Sequence, residues 1–482
     1  NHFAAQLDKI VRDPASYPVY GDPDRFFELT HPTSGLKTLI SRTFGRLVGA
    51  RGDAGEHGVI RAETSFGGGK THGLIGVYHL ARGARPANLA DFVDPALMPD
   101  GPVQVAAVVG DVLDPVNGLA TNGHRSVTLW GEVAAQLGED AWAAFANSDQ
   151  DRTAPGTETI REAFGGKPTI VIIDEIAHHF RQLAQSGNAD VRRSSAQLPV
   201  FLKNLFEVAM GDPNVVVIVT LASSRDAYGK ETDELAALMD DTGPEYRERL
   251  EEAHSVLARS GKVVQPATDN EIGEILKRRL FASIDPEAAR AAGEAYKDLY
   301  ERLGQNENLA GGAEHPDTYG DRVTASYPFH PELVRVLDKR LGDIPNFQRA
   351  RGALKLLAEV VAGLWEQQSD AEIINVADID YGRGEVLHHL TVGIGRPDFE
   401  GIAAADLAGP DSHAAAVDRS RFAGRRPYAT RACRTVFTHS LEQKAGVGAT
   451  RNDYLLGTLR ADDEPTFVDE ALAEKEKDIK AV

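Results

Sequence analysis

A glycine-rich stretch followed by a lysine and a threonine is the first group of residues that could do chemistry. Three glycines at positions 67–69 precede Lys70 and Thr71. Binding a nucleoside triphosphate requires closely approaching backbone N–H groups, a cation near the β- and γ-phosphates and a hydroxyl for magnesium, and these residues supply them in that order. The common pattern G-x-x-x-x-G-K-[ST] has glycine where this chain has Thr64, so the match is incomplete. A glycine-rich turn without a ligand is the alternative for the loop taken alone.

A pair of carboxylates forms the second candidate. Asp174 and Glu175 follow the wholly apolar stretch 170–173, which is typical of a buried strand in a parallel sheet. We expect Asp174 to hold Mg²⁺ together with Thr71, and Glu175 to act as general base toward the attacking water. A strand end that only caps the next helix is the alternative, and the presence of both motifs in one chain favours nucleotide chemistry.

Further candidates lie on a neighbouring strand and among the arginines. The apolar stretch 215–219 ends in Thr220, whose hydroxyl could contact the γ-phosphate or the attacking water, although a plain strand-end threonine is nearly as good an explanation. Arginine commonly stabilises the charge that develops in phosphoryl transfer. Arg259 and Arg351 are the arginines that we expect to act in catalysis, while Arg225 and Arg349 are more readily explained as surface charges.

Histidine pairs and clustered basic residues favour structural interpretations. His178–His179 and His388–His389 are adjacent, and adjacent helical positions point to different faces, so neither pair is suited to one metal ion. Basic residues that could contact nucleic-acid phosphates, but that we expect to be solvated or paired with acids, are Lys277, Arg278, Arg279, Arg419, Arg421, Arg425, Arg426, Arg431 and Arg434.

Composition limits the class of protein. The 482 residues exceed what one core usually supports, so we expect two or three domains. The net charge of -20 opposes broad attraction to nucleic acid, and no apolar run is long enough to predict a membrane span. A single cysteine, Cys433, excludes an internal disulfide and fits a cytoplasmic location. Because the chain starts at Asn1 without methionine or a leader, we expect a trimmed chain without a signal peptide.

The periodicity of apolar residues changes near position 266. Short runs rich in β-branched residues predict five strands at 59–60, 103–109, 170–173, 215–221 and 263–264, which together indicate an α/β class with a parallel sheet. Helical spacing then predicts helices at 271–281, 286–303, 331–341 and 350–365, with a loop at 304–318. Three further helices are predicted at 430–444, 450–459 and 464–480, in a helix-turn-helix-like arrangement without a following wing.

Several motifs resemble a family of AAA-type P-loop ATPases from bacteria and archaea, the domain of unknown function 499 family. The motifs that carry the resemblance are Phe26-Phe27, Thr33-Ser34-Gly35-Leu36, Phe66-Gly67-Gly68-Gly69-Lys70-Thr71-His72, Ile173-Asp174-Glu175, Val219-Thr220-Leu221, Arg278-Arg279-Leu280-Phe281, Tyr327-Pro328-Phe329-His330-Pro331-Glu332-Leu333 and Phe347-Gln348-Arg349-Ala350-Arg351-Gly352. The stretch 327–357 is the most specific to the family, because the phosphate loop and the carboxylate strand recur in many unrelated ATPases.

The resemblance implies a P-loop NTPase core of the AAA+ type with an α-helical lid and a partial winged-helix-like C-terminal region. We therefore divide the chain into a helical segment at 1–55, the ATPase core at 56–267, the lid at 268–370 and a C-terminal extension at 371–482, expected to be truncated. ATP and Mg²⁺ are the expected ligands, and residues 66–72 are expected to contact the nucleotide. Arg351 resembles the lid arginine that reports nucleotide state, and Arg259 the finger that enters a neighbouring subunit.

By the same resemblance we expect the motor or switch of a prokaryotic defence complex against foreign DNA. Its partners would be further copies of the chain or other proteins, and DNA or a DNA-bound protein. Two alternatives remain open at this point: a nucleotide-gated scaffold that binds ATP without appreciable turnover, and a P-loop kinase for a small acceptor, which fits the loop but not the large helical lid.

Overall fold

Two units make up the chain in the computed structural model, Asn1–Thr268 and Asp269–Val482. The structure describes residues 5–64, 69–222, 261–266, 271–305, 307–347, 349–442 and 448–478. The second unit contains both the stretch 271–366 and the C-terminal stretch 371–478. No helix in these ranges is long and apolar enough to cross a bilayer.

A parallel sheet forms the centre of the first unit. Its strands are β1 (Val59–Thr64), β2 (Gln104–Val109), β5 (Thr169–Asp174), β6 (Val215–Ala222) and β7 (Lys262–Val264), in the order β2-β5-β6-β1-β7. Each neighbouring pair is parallel. All five strands predicted from the runs of β-branched residues are therefore confirmed, and the expected α/β class with them.

The sequence did not lead us to expect a small hairpin between β2 and β5. Its strands, β3 (Leu119–Thr121) and β4 (His124–Ser126), are antiparallel and joined at Asn122 and Gly123, which both have positive φ. Asn-Gly between two short extended segments is the usual signal of a two-residue hairpin turn. The signal was present, but three-residue strands are too short to show alternation.

Helices cover both faces of the sheet in the first unit. They are α1 (Leu7–Arg12), α2 (Pro23–Glu28), α3 (Ser34–Leu47), α4 (Lys70–Ala81), α5 (Leu129–Leu137), α6 (Glu139–Gln150), α7 (Thr157–Phe164), α8 (Ile176–Ala184), α9 (Ala189–Ser194) and α10 (Gln197–Gly211), with 3-10 turns at Pro14–Ser16, Gly52–Ala54, Leu89–Asp91 and Pro95–Leu97.

Alternation along the strands assigns each side chain to one face. On β5, Val171 and Ile173 pack into a core with the helices that follow β2 and β5. Ile170 and Ile172 pack on the opposite side into a core with α4 and the N-terminal helices. Such continuous apolar strands are expected where both faces of a parallel sheet are covered.

The described part of the second unit is helical apart from one isolated bridge, Phe329 with Ile374. Its helices are α11 (Ile272–Leu280), α12 (Pro286–Gly304), α13 (Pro316–Ser326), α14 (Pro331–Arg335), α15 (Arg349–Glu366), α16 (Gly384–Leu390), α17 (Asp398–Asp406), α18 (His413–Arg421), α19 (Tyr428–Ser440), α20 (Arg451–Thr458) and α21 (Pro465–Asp478), with a π-helical turn at Val336–Leu341 and 3-10 turns at Pro345–Phe347, Val376–Asp378 and Val392–Ile394.

Local signals place several of these helix ends. Asp285 accepts a hydrogen bond from the N–H of Glu287 at 2.8 Å, and Pro286 stands at the first helical position. Thr450 and Asp453 form a reciprocal capping box at the start of α20. The predicted helix at 331–341 is present, but it changes from α to π geometry after Arg335.

Candidate functional site

The predicted site lies where β1, β5 and β6 end. Because these strands are parallel, their carboxyl ends share one edge of the sheet. The chain leaves β1 for β2 at the far edge, returns through β5 and β6, and crosses to β7 on the other side of β1. The connections that follow the neighbouring strands β1 and β6 thus run in opposite directions across the sheet. Crevices at such switch points are where open α/β sheets bind ligands.

Strand parity brings Asp174 and Thr220 to the same side of the sheet. Asp174 continues the set of Ile170 and Ile172 on β5, which pack in the core that includes α4. Thr220 continues the corresponding set on β6. Since α4 begins at Lys70, both polar side chains face the start of that helix.

Direct hydrogen bonds join the three segments. The hydroxyl of Thr71 donates to Oδ2 of Asp174 at 3.0 Å, across 103 positions of sequence. The hydroxyl of Thr220 donates to Oδ1 of Asp174 at 2.5 Å, and the N–H of Glu175 donates to the same oxygen at 3.1 Å. The structure therefore brings together three of the predicted site residues around one carboxylate.

Asp174 is a buried carboxyl group whose ionised form is only partly compensated by its neighbours. Only 2% of the surface of Asp174 is exposed. Burial raises the pKa of Asp174, while the hydroxyls of Thr220 and Thr71 and the positive charge of Lys70 lower it by less. A divalent cation beside this carboxylate would favour the ionised form, and carboxylate and hydroxyl oxygens are ligands that Mg²⁺ accepts. The residues present therefore fit a magnesium ion.

Glu175 has an unusual backbone conformation. Its φ of 55° and ψ of 37° lie in the left-handed region, which is uncommon for residues other than glycine. Its N–H donates to Thr220 Oγ1 at 3.2 Å as well as to Asp174, and its side chain is exposed. Thr220 thus stabilises the turn that contains Glu175 at the end of β5. The position of Thr220 at a strand end did not indicate this function from sequence.

Gly110 is a site-forming residue that sequence reasoning missed. It follows β2, and its N–H donates to the carbonyl of Asp174 at 2.8 Å. A Cβ at this position would lie 2.5 Å from the carbonyl oxygen of Glu175 and 2.8 Å from Cβ of His179. Only glycine allows so close an approach without displacing the Glu175 turn. A glycine directly after a predicted strand was the available signal, but its neighbours in the fold were not evident from sequence.

The start of α4 carries the described part of the predicted phosphate loop. Gly69 has a φ of 80° and precedes Lys70 and Thr71, both partly exposed. The first N–H groups of a helix point out of its N-terminus, where they can bind anions. Phe66, Gly67 and Gly68 lie outside the described residues.

His72 packs against the N-terminal segment. Its ring packs against Phe26 with a centroid distance of 4.5 Å, and its Nε2 lies 2.9 Å from Oγ1 of Thr30. The structure therefore places this expected nucleotide contact against the N-terminal segment of the same unit.

Comparison with protein families supplies the identification. A family model described as the DUF499 N-terminal domain matches residues 1–240, and one described as the DUF499 second domain matches residues 267–450. The chain belongs to the DUF499 family. No curated protein and no solved structure matches it. The resemblance found in the motifs is thereby confirmed at the level of the family.

Of the two arginines expected to act in catalysis, only Arg351 is among the described residues of this DUF499 chain. Arg351 is exposed in the first turn of α15, in the second unit. Arg259 and Arg225 lie outside the described residues. The roles of these arginines remain predictions.

Basic residues of the DUF499 second domain are largely engaged within the protein. Arg431 is buried and pairs with Asp378 at 2.7 Å, and Arg434 pairs with Asp380. Arg426 pairs with Asp462 and with Asp463. These contacts agree with the interpretation that the arginines are paired with acids.

A buried polar cluster in the same domain was not anticipated from sequence. Among the described residues, the potential ligand atoms of Glu332, His439 and Asp453 lie within 4.8 Å of one another. This spacing could accommodate a metal ion. However, Nη2 of Arg335 lies 2.6 Å from Oε1 of Glu332 and 2.5 Å from Oδ1 of Asp453. Because the guanidinium already bridges both carboxylates, we interpret the group as an ion-pair cluster.

Proposed function

We propose that this chain binds magnesium–ATP at the carboxyl edge of its parallel sheet and hydrolyses it. The observation that carries the proposal is the hydrogen bond between Thr71 and Asp174, which joins the start of α4 to the end of the carboxylate strand. In this proposal the first unit is a P-loop NTPase core of the AAA+ type, and the second unit supplies its helical lid.

Each residue of the site has a distinct task in the proposed reaction. Lys70 neutralises phosphate charge, and the N-terminus of α4 binds phosphate oxygens. Thr71 and Asp174 would hold Mg²⁺; the Thr71 hydroxyl donates its proton to Asp174, which leaves its oxygen lone pairs for the cation. Bound magnesium would stabilise the charge that develops on the transferred phosphoryl group.

Glu175 is the proposed general base. Its exposed carboxylate follows the residue that would hold the cation, and its turn is fixed by hydrogen bonds from its N–H to Asp174 and Thr220. Thr220 acts by positioning, since its own proton is given to Asp174. Arg351 and Arg259 are proposed to stabilise the transferred phosphoryl group, from the lid and from a neighbouring copy respectively.

The biological role is proposed from the family resemblance alone. We infer that ATP turnover drives a motor or switch in a prokaryotic complex that acts against foreign DNA. The net charge of -20 and the pairing of Arg426, Arg431 and Arg434 with acids favour a DNA-bound protein, or a surface supplied by a partner, over broad direct DNA contact.

Phosphate release by the purified chain tests the proposal. We expect magnesium-dependent release of phosphate from ATP, with ADP as the other product. Lys70→Ala should abolish the rise in Tm that ATP causes, whereas Glu175→Gln should keep that rise and lower turnover by about a hundredfold or more.

Matched controls lie on the exposed face of α10. Lys203→Ala and Glu207→Gln remove the same chemical groups from exposed positions and should leave binding and turnover unchanged. Turnover unaffected by Glu175→Gln would refute the hydrolytic role. A Tm rise that depends on Lys70, without any phosphate release, would instead establish the nucleotide-gated scaffold.

A further inference from the structure

His72 ties the proposed phosphate loop to the segment formed by residues 20–30, called here the 20–30 segment. The ring of His72 lies directly after Thr71 and contacts Phe26 at a centroid distance of 4.5 Å. The same ring and that of Tyr20 make a T-shaped contact, with centroids 5.9 Å apart and an interplanar angle of 82°. A side chain one residue beyond the cation-binding threonine is thus packed into a different structural element.

Hydrogen-bond directions define how this contact is made. The hydroxyl of Thr30 donates its proton to the carbonyl oxygen of Phe26 at 2.6 Å. Its oxygen can therefore only accept from Nε2 of His72, at 2.9 Å, so His72 carries a proton on Nε2. The link runs from α4 through His72 and Thr30 to the backbone near the end of α2.

One face of α4 is shaped to receive the 20–30 segment. Phe26 also contacts His79, at 5.4 Å between ring centroids, and lies beside Gly76, where an added Cβ would be 3.4 Å from its ring. Positions 72, 76 and 79 share one helix face. Nε2 of His79 donates to the carbonyl oxygen of Tyr20 at 2.7 Å, which anchors the segment two turns away from the loop.

We propose that His72 is a positioning residue that transmits nucleotide binding to the 20–30 segment. Binding of phosphate at the start of α4 fixes the first turn of that helix, and His72 passes this restraint to Phe26 and Thr30. The segment is then more ordered with ATP bound than without it. This inference rests on the proposed ATP binding, and it replaces direct nucleotide contact as the function of His72.

Hydrogen exchange of the full chain, measured with and without magnesium–ATP, tests the link. The amides of Phe26 and Leu29 are hydrogen-bonded within the segment and report its opening. We expect ATP to slow their exchange by about fivefold or more in the unaltered chain. His72→Phe keeps a ring against Phe26 but removes the donor, and Thr30→Val removes the acceptor; each should abolish the protection of the segment.

Conservative variants separate the link from a general loss of packing. His72→Gln and Thr30→Ser keep a donor and an acceptor at these positions, and both should retain the protection. ATP should still protect residues 71–81 in every variant, which shows that nucleotide binding is intact. Protection of residues 71–81 without protection of the 20–30 segment, or equal protection in His72→Phe and Thr30→Val, would refute the link while leaving ATP binding established. Absence of protection at both places in the unaltered chain would refute ATP binding itself.

Discussion

Asp174 in the first unit and Glu332 in the second are both 2% exposed, yet their surroundings differ in kind. Asp174 receives hydrogen bonds from two hydroxyls and one N–H, and burial raises its pKa. Burial also raises the pKa of Glu332. The contact with His439 and the bidentate hydrogen bonds from Arg335 outweigh this effect, so the pKa of Glu332 is lowered.

The difference distinguishes a structural charge from one that is prepared for a ligand. A buried carboxylate that is fully paired within the protein contributes to one fixed arrangement of its neighbours. A buried carboxylate surrounded by hydroxyls remains short of positive charge, and a bound cation can supply it. On this basis we propose the strand ends of the first unit as the ligand site, whereas the Glu332 cluster forms part of the second unit's core.

Removing Arg335 should have the largest effect on stability. Arg335→Met leaves Glu332 and Asp453 buried without their bridging cation, and should lower the free energy of unfolding of the second unit by about 3 kcal/mol. This is the low end of the usual range, because the Arg335 side chain is 35% exposed and water can partly replace it. Urea unfolding at pH 7.5, followed by circular dichroism, measures the loss.

The pH dependence checks the cause of that loss. A lowered pKa of Glu332 gives stability that is present above the ordinary carboxyl pKa and is lost as pH falls through the folded-state value. Protonation also relieves the unpaired carboxylates of Arg335→Met, so the difference between the two proteins should shrink toward pH 4. The exposed Arg290→Met on α12 is the control. Equal stability of both variants at pH 7.5 would show that the cluster is not held by Arg335.

Asp174→Asn should act in the opposite direction. The amide keeps oxygen and nitrogen partners for Thr71 and Thr220 but carries no buried charge, so without nucleotide the Tm of the first unit should rise by roughly 2 to 4 °C, as expected for ~1 kcal/mol. Because Asn is a poor substitute for a carboxylate beside Mg²⁺, the rise in Tm caused by magnesium–ATP should disappear. Differential scanning calorimetry with and without ligand measures both effects.

The stabilisation by Asp174→Asn should itself depend on pH. A carboxyl group whose pKa is raised on folding costs no stability below its ordinary pKa, and its full cost is present above the folded-state pKa. The gain should therefore be present at pH 7.5 and small at pH 4. The exposed Asp91→Asn should show neither the gain nor the loss of response to nucleotide. A lower Tm for Asp174→Asn at pH 7.5 would contradict the view that this charge is uncompensated.

Sequence patterns sufficed for the sheet and for most of the polar residues at its edge. Apolar runs such as 170–173 specify buried strands, and period-2 alternation then assigns Asp174 and Thr220 to the side of α4. These inferences succeed because they depend on residues close together in sequence. The strand order, by contrast, is set by packing between segments that are distant along the chain.

What the sequence could not provide are the contacts made across elements. Nothing local indicates that Gly110 lies against the Glu175 turn, or that His72 turns toward Thr30. The same holds for the cluster of Glu332, Arg335 and Asp453, which joins α14 to α20. Each depends on distances between separate elements, and residue type alone leaves these distances open.

The smallest predicted effect concerns the backbone of Glu175. Its left-handed conformation disfavours every residue with a Cβ, by roughly 1 kcal/mol or more, and glycine adopts it without that cost. Glu175→Gly should therefore be more stable than Glu175→Ala by about 1 kcal/mol, although both variants lack the carboxylate and should be equally inactive.

Glu207 on α10 offers the reciprocal comparison. At this exposed helical position the glycine variant should be less stable than the alanine variant by about the same amount. Thermal unfolding of the four variants measures both differences. If the alanine variant were the more stable at position 175 as well as at position 207, the turn after β5 would not be strained. The hydrogen bonds from the Glu175 N–H to Asp174 and Thr220 would then stabilise a conformation that the chain adopts without cost.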